Sequence, residues 1–363
     1  MTSPDRVAVL GCGLVGTSIA MAVARAGGDV VGFDTHAAVL AAASARSGLK
    51  PAGDVAEAVD GASVAFVCTP VPAIADVVLA ALAADPAVVV TDAGSVKVSI
   101  VDAVVAAAGE VAGRFVGGHP MGGSERSGPD GASASIIDDA VWVLTPTSAT
   151  DPDAVGVVQG WVERSGANPV RMEPEAHDRV VAVVSHLPQV AATALMNLAA
   201  REEEGQPETL LLAAGGFRDL TRLAASDPHL WAGILSSNRD ELVRAVDLYA
   251  DELASLRDLV AGGDEPGVER TMAAATEERR RLTAKPQVRT GVAILQVGID
   301  DRPGVLAELT AAFGERDVNI EDIQLVHSPE GGRGSVHVTV AAGDADRAVE
   351  GLAVHSFEAV RIA

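Results

Sequence analysis

Val7-Ala8-Val9-Leu10-Gly11-Cys12-Gly13-Leu14-Val15-Gly16 decides the fold. The four apolar residues read as a short strand buried on both faces, and the glycines that follow open a helix. The first glycine suits a tight turn, the second admits a ligand close to the backbone, and the third lets helix and strand pack tightly. The helix N-terminus then faces the ligand with unpaired N–H groups, a setting for phosphates. Glycines alone also explain simple packing of a helix on a strand. The next strand, Val30–Phe33, ends at Asp34, where an acid accepts hydrogen bonds from ribose hydroxyls. Thr35 and His36 come next rather than Arg or Lys, so the pattern favours NAD over NADP. The candidate cofactor set is Gly11, Cys12, Gly13, Leu14, Val15, Gly16 and Asp34, with Thr69, Pro70 and Asp92 at later strand ends.

Working outward, Val64–Cys68 and Val88–Thr91 are further apolar runs, separated by Ala-rich helical segments. That alternation implies a parallel sheet with helices on both faces, which Phe115–Gly118, Val141–Leu144 and Pro169–Met172 would extend. After Glu173 the strand signals stop. Residues 174–283 read as successive helices, with Pro188 expected to kink the first. From His229 to Val260 one stripe (Trp231, Leu235, Asn238, Leu242, Ala245, Tyr249, Leu253, Leu256, Val260) predicts a single helix, in the core or shared across a dimer. Lys285-Pro286-Gln287 reads as a linker. Beyond it come strand Val292–Ile299, helix Val305–Arg316, strand Ile320–His327, a turn at Gly331–Gly334, strand Ser335–Val340, helix Ala345–Leu352 and strand Glu358–Ile362. This βαββαβ order predicts a small ferredoxin-like domain. The whole is an α/β chain of three parts: a Rossmann-type domain at 1–172, an all-helical domain at 173–286 and the small domain at 287–363.

With 363 residues the chain can bury several cores, and 48% apolar but only 3% aromatic residues suit helices on a parallel sheet. A net charge of -23 disfavours nucleic acid and acidic membranes as partners, so an anionic substrate needs a local cationic cluster. Two cysteines, Cys12 and Cys68, indicate no disulfide framework. No signal peptide and no uninterrupted apolar span of about 18 residues is read, so a soluble cytoplasmic protein is expected.

Two loops beyond strand ends carry the candidate chemistry: Asp92-Ala93-Gly94-Ser95-Val96-Lys97 and Gly117-Gly118-His119-Pro120-Met121-Gly122-Gly123-Ser124-Glu125-Arg126-Ser127-Gly128. A lone loop histidine is usually structural. At the rim of a nucleotide-binding sheet, however, His119 is placed to act as a general base for an alcohol proton. The helical part adds His177-Asp178, Ser185-His186-Leu187-Pro188-Gln189 and Gly215-Gly216-Phe217-Arg218-Asp219-Leu220-Thr221-Arg222. Arg218 and Arg222 can be an ordinary exposed i,i+4 pair. In so acidic a chain they are also a candidate carboxylate clamp.

Taken in order, these motifs, with Ser226-Asp227-Pro228 and Trp231, resemble the prephenate/arogenate dehydrogenase family of tyrosine biosynthesis over essentially the whole chain. Asp301-Arg302-Pro303-Gly304-Val305-Leu306 and Asn319-Ile320 resemble the ACT family of amino-acid-binding modules. The resemblance implies an NAD-dependent oxidative decarboxylation. His119 takes the hydroxyl proton and Ser95 orients it. Arg222 holds a substrate carboxylate, and Arg218, Glu125, Ser124, Gln189 and Ser185 shape the pocket. It also implies a homodimer, no metal, and an aromatic amino acid effector such as tyrosine at Asp301, Pro303, Gly304, Asn319 and Ile320. Two departures bear on the substrate. Gln189 stands where many relatives carry a second histidine, facing the side chain that is keto in prephenate and amino in arogenate; Arg218 stands where a lysine is common. The rival readings are a β-hydroxyacid dehydrogenase or imine reductase of similar build, and a non-catalytic regulator binding NAD and an amino acid.

Overall fold

The structure, a computed structural model, describes residues 5–122, 128–283, 292–300, 302–327 and 333–362. It divides into two compact units, Met1–Asn197 with Thr221–Tyr249, and Leu198–Leu220 with Ala250–Ala363. In the first, strands and helices alternate as β1 (Arg6–Leu10), α1 (Leu14–Arg25), β2 (Asp29–Phe33), α2 (Ala37–Ser47), β3 (Lys50–Pro51), α3 (Val55–Val59), β4 (Val64–Val67), α4 (Val71–Ala84), β5 (Val89–Asp92) and α5 (Val98–Ala108). Then follow β6 (Phe115–Pro120), β7 (Val141–Thr145), α6 (Pro152–Arg164) and β8 (Asn168–Arg171).

The sheet order is β3-β2-β1-β4-β5-β6-β7-β8. Strand β1 pairs parallel with both β2 and β4, so the chain reverses its direction of travel beside the glycine turn. That is where an open α/β sheet binds its ligand. The pleat sends Val7 and Val9 to one core with Trp142 and Trp161, and Ala8 and Leu10 to another with Ile74 and Val78. Both faces are thus covered, as the unbroken apolar strands predict. Trp142 meets Phe66 edge to face, ring centroids 5.7 Å apart.

The expected all-parallel sheet is corrected at one edge. β7 runs antiparallel to β6, and β8 is parallel to β7. A parallel return requires a crossover, usually a helix. Between β6 and β7 the described residues hold only the short 3₁₀ turns Pro129–Gly131 and Ala134–Ile136. The two-residue β3 escaped the sequence reading because Lys50-Pro51 has no strand pattern.

The helical part continues with α7 (Pro174–Val181), a π-helical turn at Ala182–His186, α8 (Leu187–Glu203), α9 (Gly215–Thr221), α10 (Pro228–Ser237), α11 (Arg239–Ala261) and α12 (Glu265–Thr283). The kink expected at Pro188 takes the form of the π-turn just before it, a device for absorbing an interrupted hydrogen-bond ladder. The single helix predicted over His229–Val260 is two, broken at Asn238. The Asn238 amide is drawn away, donating to the Asp178 carbonyl at 2.8 Å and meeting His186 Nδ1 at 3.2 Å. The run Pro174–Glu203 is long and apolar enough to cross a membrane by length and composition. It nevertheless places His177, Asp178, His186 and Gln189 among protein hydrogen-bond partners, as a helix packed on protein does.

The C-terminal elements are β9 (Val292–Asp300), α13 (Val305–Gly314), β10 (Asp322–His327), β11 (Arg333–Ala341), α14 (Ala345–Val354) and β12 (Ala359–Arg361). They form an antiparallel sheet, β10-β11-β9-β12, whose core joins Leu295, Val297, Leu309, Phe313, Val338 and Leu352. This is the expected βαββαβ fold.

Candidate active site

Gly11 sits at φ +91°, and a Cβ there would lie 2.7 Å from the Cys68 carbonyl carbon. At Gly16 a Cβ would lie 1.9 Å from the Gly11 oxygen. Both glycines are therefore fixed by space and conformation. Gly13 faces open space, and α1 starts after it with no side-chain cap. The N–H groups of Leu14, Val15 and Gly16 are thus left for an anion. Asp34 Oδ2 accepts the Cys12 N–H at 2.9 Å, tying the acid at the end of β2 to the turn. The Thr69 hydroxyl, beyond β4, is buried without a partner among the described residues, a group awaiting a ligand; Pro70 caps the start of α4. An uncapped helix start, an open glycine face, a ribose-height acid and an orphaned hydroxyl fit NAD. Burial, then the Asp34 charge, pushes the Cys12 thiol up to about 12, and burial holds the Cys68 thiol well above its ordinary range, so neither thiol supplies a nucleophile at neutral pH.

The second cluster lies at the ends of β5 and β6. Lys97 and Asp92 are an ion pair with both side chains fully buried. Asp92 also accepts the N–H of Gly94 at 2.8 Å and of Gly118 at 3.0 Å, while Lys97 Nζ donates to the Gly118 carbonyl at 2.6 Å. The pair clamps the residue before His119. It also consumes the Asp92 carboxylate beneath the site instead of offering it to the cofactor. Burial is the main force lowering the Lys97 pKa, opposed by Asp92.

His119, partly exposed, places Nδ1 2.8 Å from His177 Nε2. His177 Nδ1 is 2.7 Å from Asp178 Oδ1, and both these residues are buried. Asp178 in turn accepts the backbone N–H groups of Lys97 (2.7 Å) and Val98 (2.9 Å), at the start of α5. Burial first, then His177, Lys97 and His186, holds the His119 pKa well below the usual imidazole range. His119 is therefore neutral at pH 7 and able to accept a proton. His186, behind Asn238, is lowered to about 4 chiefly by burial. Its Nε2 is buried with no partner among the described residues.

Ser95 is half-buried in the loop after β5, with no hydrogen bond among the described residues. Arg222 opens a 3₁₀ turn, Arg222–Ala225, and is exposed with no ion-pair partner among the described residues. Gln189 is buried and internally engaged: Nε2 donates to the Leu223 carbonyl at 2.9 Å and Oε1 accepts from Ser226 at 3.4 Å. The amide is a strut under the Arg222 turn, not the substrate-facing group the sequence suggested. Ser185 is half-buried in the π-turn, and exposed Arg218 lies on α9 in the other compact unit. Ser124, Glu125 and Asp301 lie outside the described residues. Pro303 and Gly304 (φ +87°) open α13, and exposed Asn319 donates to Glu321 at 2.6 Å beside half-buried Ile320. Among the described residues no cluster of His, Cys, Asp or Glu could hold a metal ion.

His177-Asp178 and Lys97 stand in the motifs quoted from the sequence without a role in the site, and Asn238 stands there only as part of a helical stripe. A lysine inside an apolar context and an asparagine inside an apolar helical stripe were the available signals for buried polar contacts.

The nucleotide-binding domain of prephenate dehydrogenase matches residues 19–171, its dimerization domain residues 173–274, and the ACT domain residues 293–355. A Bacillus subtilis prephenate dehydrogenase is 31% identical over 349 residues, 94% of this chain and 93% of the relative. A Zymomonas mobilis cyclohexadienyl dehydrogenase is 34% identical over 73% of this chain and 91% of its own. The crystal structure of the Aquifex aeolicus prephenate dehydrogenase with hydroxyphenyl propionate and NAD+ aligns with a TM-score of 0.71 and 29% identity, covering 77% of this chain and 99% of that one. Rossmann-type, helical dimerisation and ACT regions thus recur here in the same order, and the chain belongs to the prephenate dehydrogenase family.

Proposed function

We propose that the chain performs the NAD-dependent oxidative decarboxylation of prephenate to 4-hydroxyphenylpyruvate in tyrosine biosynthesis. The observation that carries the reading is His119, a neutral, partly exposed imidazole at the C-terminal end of β6, on the sheet that bears the glycine turn. NAD supplies the hydride acceptor. His119 takes the hydroxyl proton as hydride leaves the same carbon, and Ser95, without a hydrogen bond among the described residues, orients the hydroxyl or the imidazole. Arg222 engages a substrate carboxylate, with Ser124, Glu125 and Ser185 contributing to the pocket. Loss of carbon dioxide aromatises the ring and makes the reaction effectively irreversible. Arogenate is the second reading: buried, internally bonded Gln189 offers no ionisable contact to a keto acid side chain.

The assignment extends to the assembly. The Rossmann-type, helical and ACT-like parts divide at 1–172, 173–286 and 287–363. The helical part pairs two chains, and the ACT-like part binds an aromatic amino acid, tyrosine first, around Asp301, Pro303, Gly304, Asn319 and Ile320. Two unpaired cysteines accord with the reducing cytoplasm. His119→Asn tests the chemistry: turnover is expected to fall by about 10²-fold or more while NAD affinity holds, and undiminished turnover removes His119 from the mechanism.

A further inference from the structure

A histidine can serve as a base at only one nitrogen at a time, and the partner of the other nitrogen decides which. Here the decision is traceable from the buried end. Asp178 Oδ1 accepts the Lys97 N–H at 2.7 Å and Oδ2 accepts the Val98 N–H at 2.9 Å. Both carboxylate oxygens are thus committed as acceptors, and Asp178 can only accept from His177 Nδ1 as well. A hydrogen on His177 Nδ1 leaves its Nε2 with a lone pair alone. His119 Nδ1, 2.8 Å from that lone pair, must then carry the hydrogen. The opposite nitrogen, His119 Nε2, is left as a lone pair.

We propose that His177 is a positioning residue for the proton transfer, holding His119 in the tautomer whose Nε2 accepts the substrate proton. This deepens the reading of His119 as the base and rests on it. When Nε2 takes the hydroxyl proton, the Nδ1–H keeps a fixed acceptor, so the imidazolium forms without a turn of the ring. Asp178 acts one step further back, and its backbone carbonyl is held by the Asn238 amide at 2.8 Å. Among the described residues the remaining charged and titratable neighbours are Lys97, whose ammonium is committed to Asp92 and Gly118, and His186, across Asn238. Neither supplies His119 Nδ1 with a second acceptor. A substitution at His177 therefore frees the ring to adopt the other tautomer, with Nε2 protonated and useless as a base.

The full-length protein labelled with ¹⁵N-histidine tests this, with the His119 signals identified by their loss in His119→Asn. In the unsubstituted protein near neutral pH, His119 is expected to show a protonated Nδ1 and an unprotonated Nε2. His177→Leu removes the acceptor, and is expected to shift His119 toward the Nε2–H tautomer and lower kcat by about 10²-fold or more, with KM for NAD little changed. His177→Gln can donate to Asp178 and accept from His119, and is expected to keep the tautomer and recover at least about tenfold of the lost rate. A protonated Nε2 in the unsubstituted protein overturns the proposal, as does full kcat in His177→Leu. So does a glutamine variant that keeps the tautomer yet is no faster than the leucine one. If His177→Leu does not fold, the unsubstituted spectrum and His177→Gln still decide. Turnover retained by His119→Asn would instead defeat the base assignment, an outcome separable from the tautomer.

Discussion

Lys97→Met isolates the interaction that fixes the loop before His119. The substitution keeps the length and apolar bulk of the side chain but removes a cation whose partner, Asp92, is fully buried. Two amide donors remain on that carboxylate, from Gly94 and Gly118, at 2.8 and 3.0 Å. Removing one member of a buried pair costs about 3–5 kcal/mol. The expected loss is therefore about 3–5 kcal/mol. All three tryptophans, Trp142, Trp161 and Trp231, lie in the compact unit that contains the pair. Urea unfolding followed by tryptophan fluorescence thus reports this unit. The double variant Lys97→Met/Asp92→Asn is expected to recover part of the loss, with a coupling energy of about 2 kcal/mol or more. A cycle additive to within about 0.5 kcal/mol would refute the reasoning.

Gly16→Ala would set a Cβ 1.9 Å from the Gly11 oxygen, so loss of NAD binding by calorimetry is expected, and near-normal affinity would contradict the packed turn. Acid should destabilise the protein through His186, lowered from 6.5 to about 4 chiefly by burial. The unfolded chain takes up a proton the native one refuses, so this contribution, about 3 kcal/mol, is whole above pH ~6.5 and lost as pH falls toward 4. Denaturant midpoints that stay level across that window would exclude it, and His186→Asn should flatten it. Arg222→Ala is expected to raise KM for the substrate about tenfold or more with little change for NAD; an unchanged KM leaves the carboxylate clamp unsupported. Calorimetry of the full chain with tyrosine, phenylalanine and tryptophan checks the effector, and absence of heat with all three would argue for a structural ACT-like part.

The glycine turn, Asp34 and His119 were legible in the sequence because each sits where a strand ends, and strand ends follow from runs of buried apolar residues. The reversal at β7 was not legible, because it depends on what lies between β6 and β7 and not on the strands themselves. Pairings far apart in the chain were equally hidden: His119 with His177, Gly118 with Lys97, Gln189 with Leu223. Gln189 shows the cost of assigning a role from position alone, since its partners turn it into an internal strut. Asn238 shows the converse. It fitted a helical stripe by spacing, yet its amide breaks the helix to hold Asp178 and His186.

The central claim is most directly tested by supplying purified protein with NAD and prephenate and following NADH and carbon dioxide together. Equal amounts of both, with arogenate turned over more slowly and a β-hydroxyacid not at all, are the expected result. No NADH from either prephenate or arogenate, in protein that binds NAD, would contradict the account.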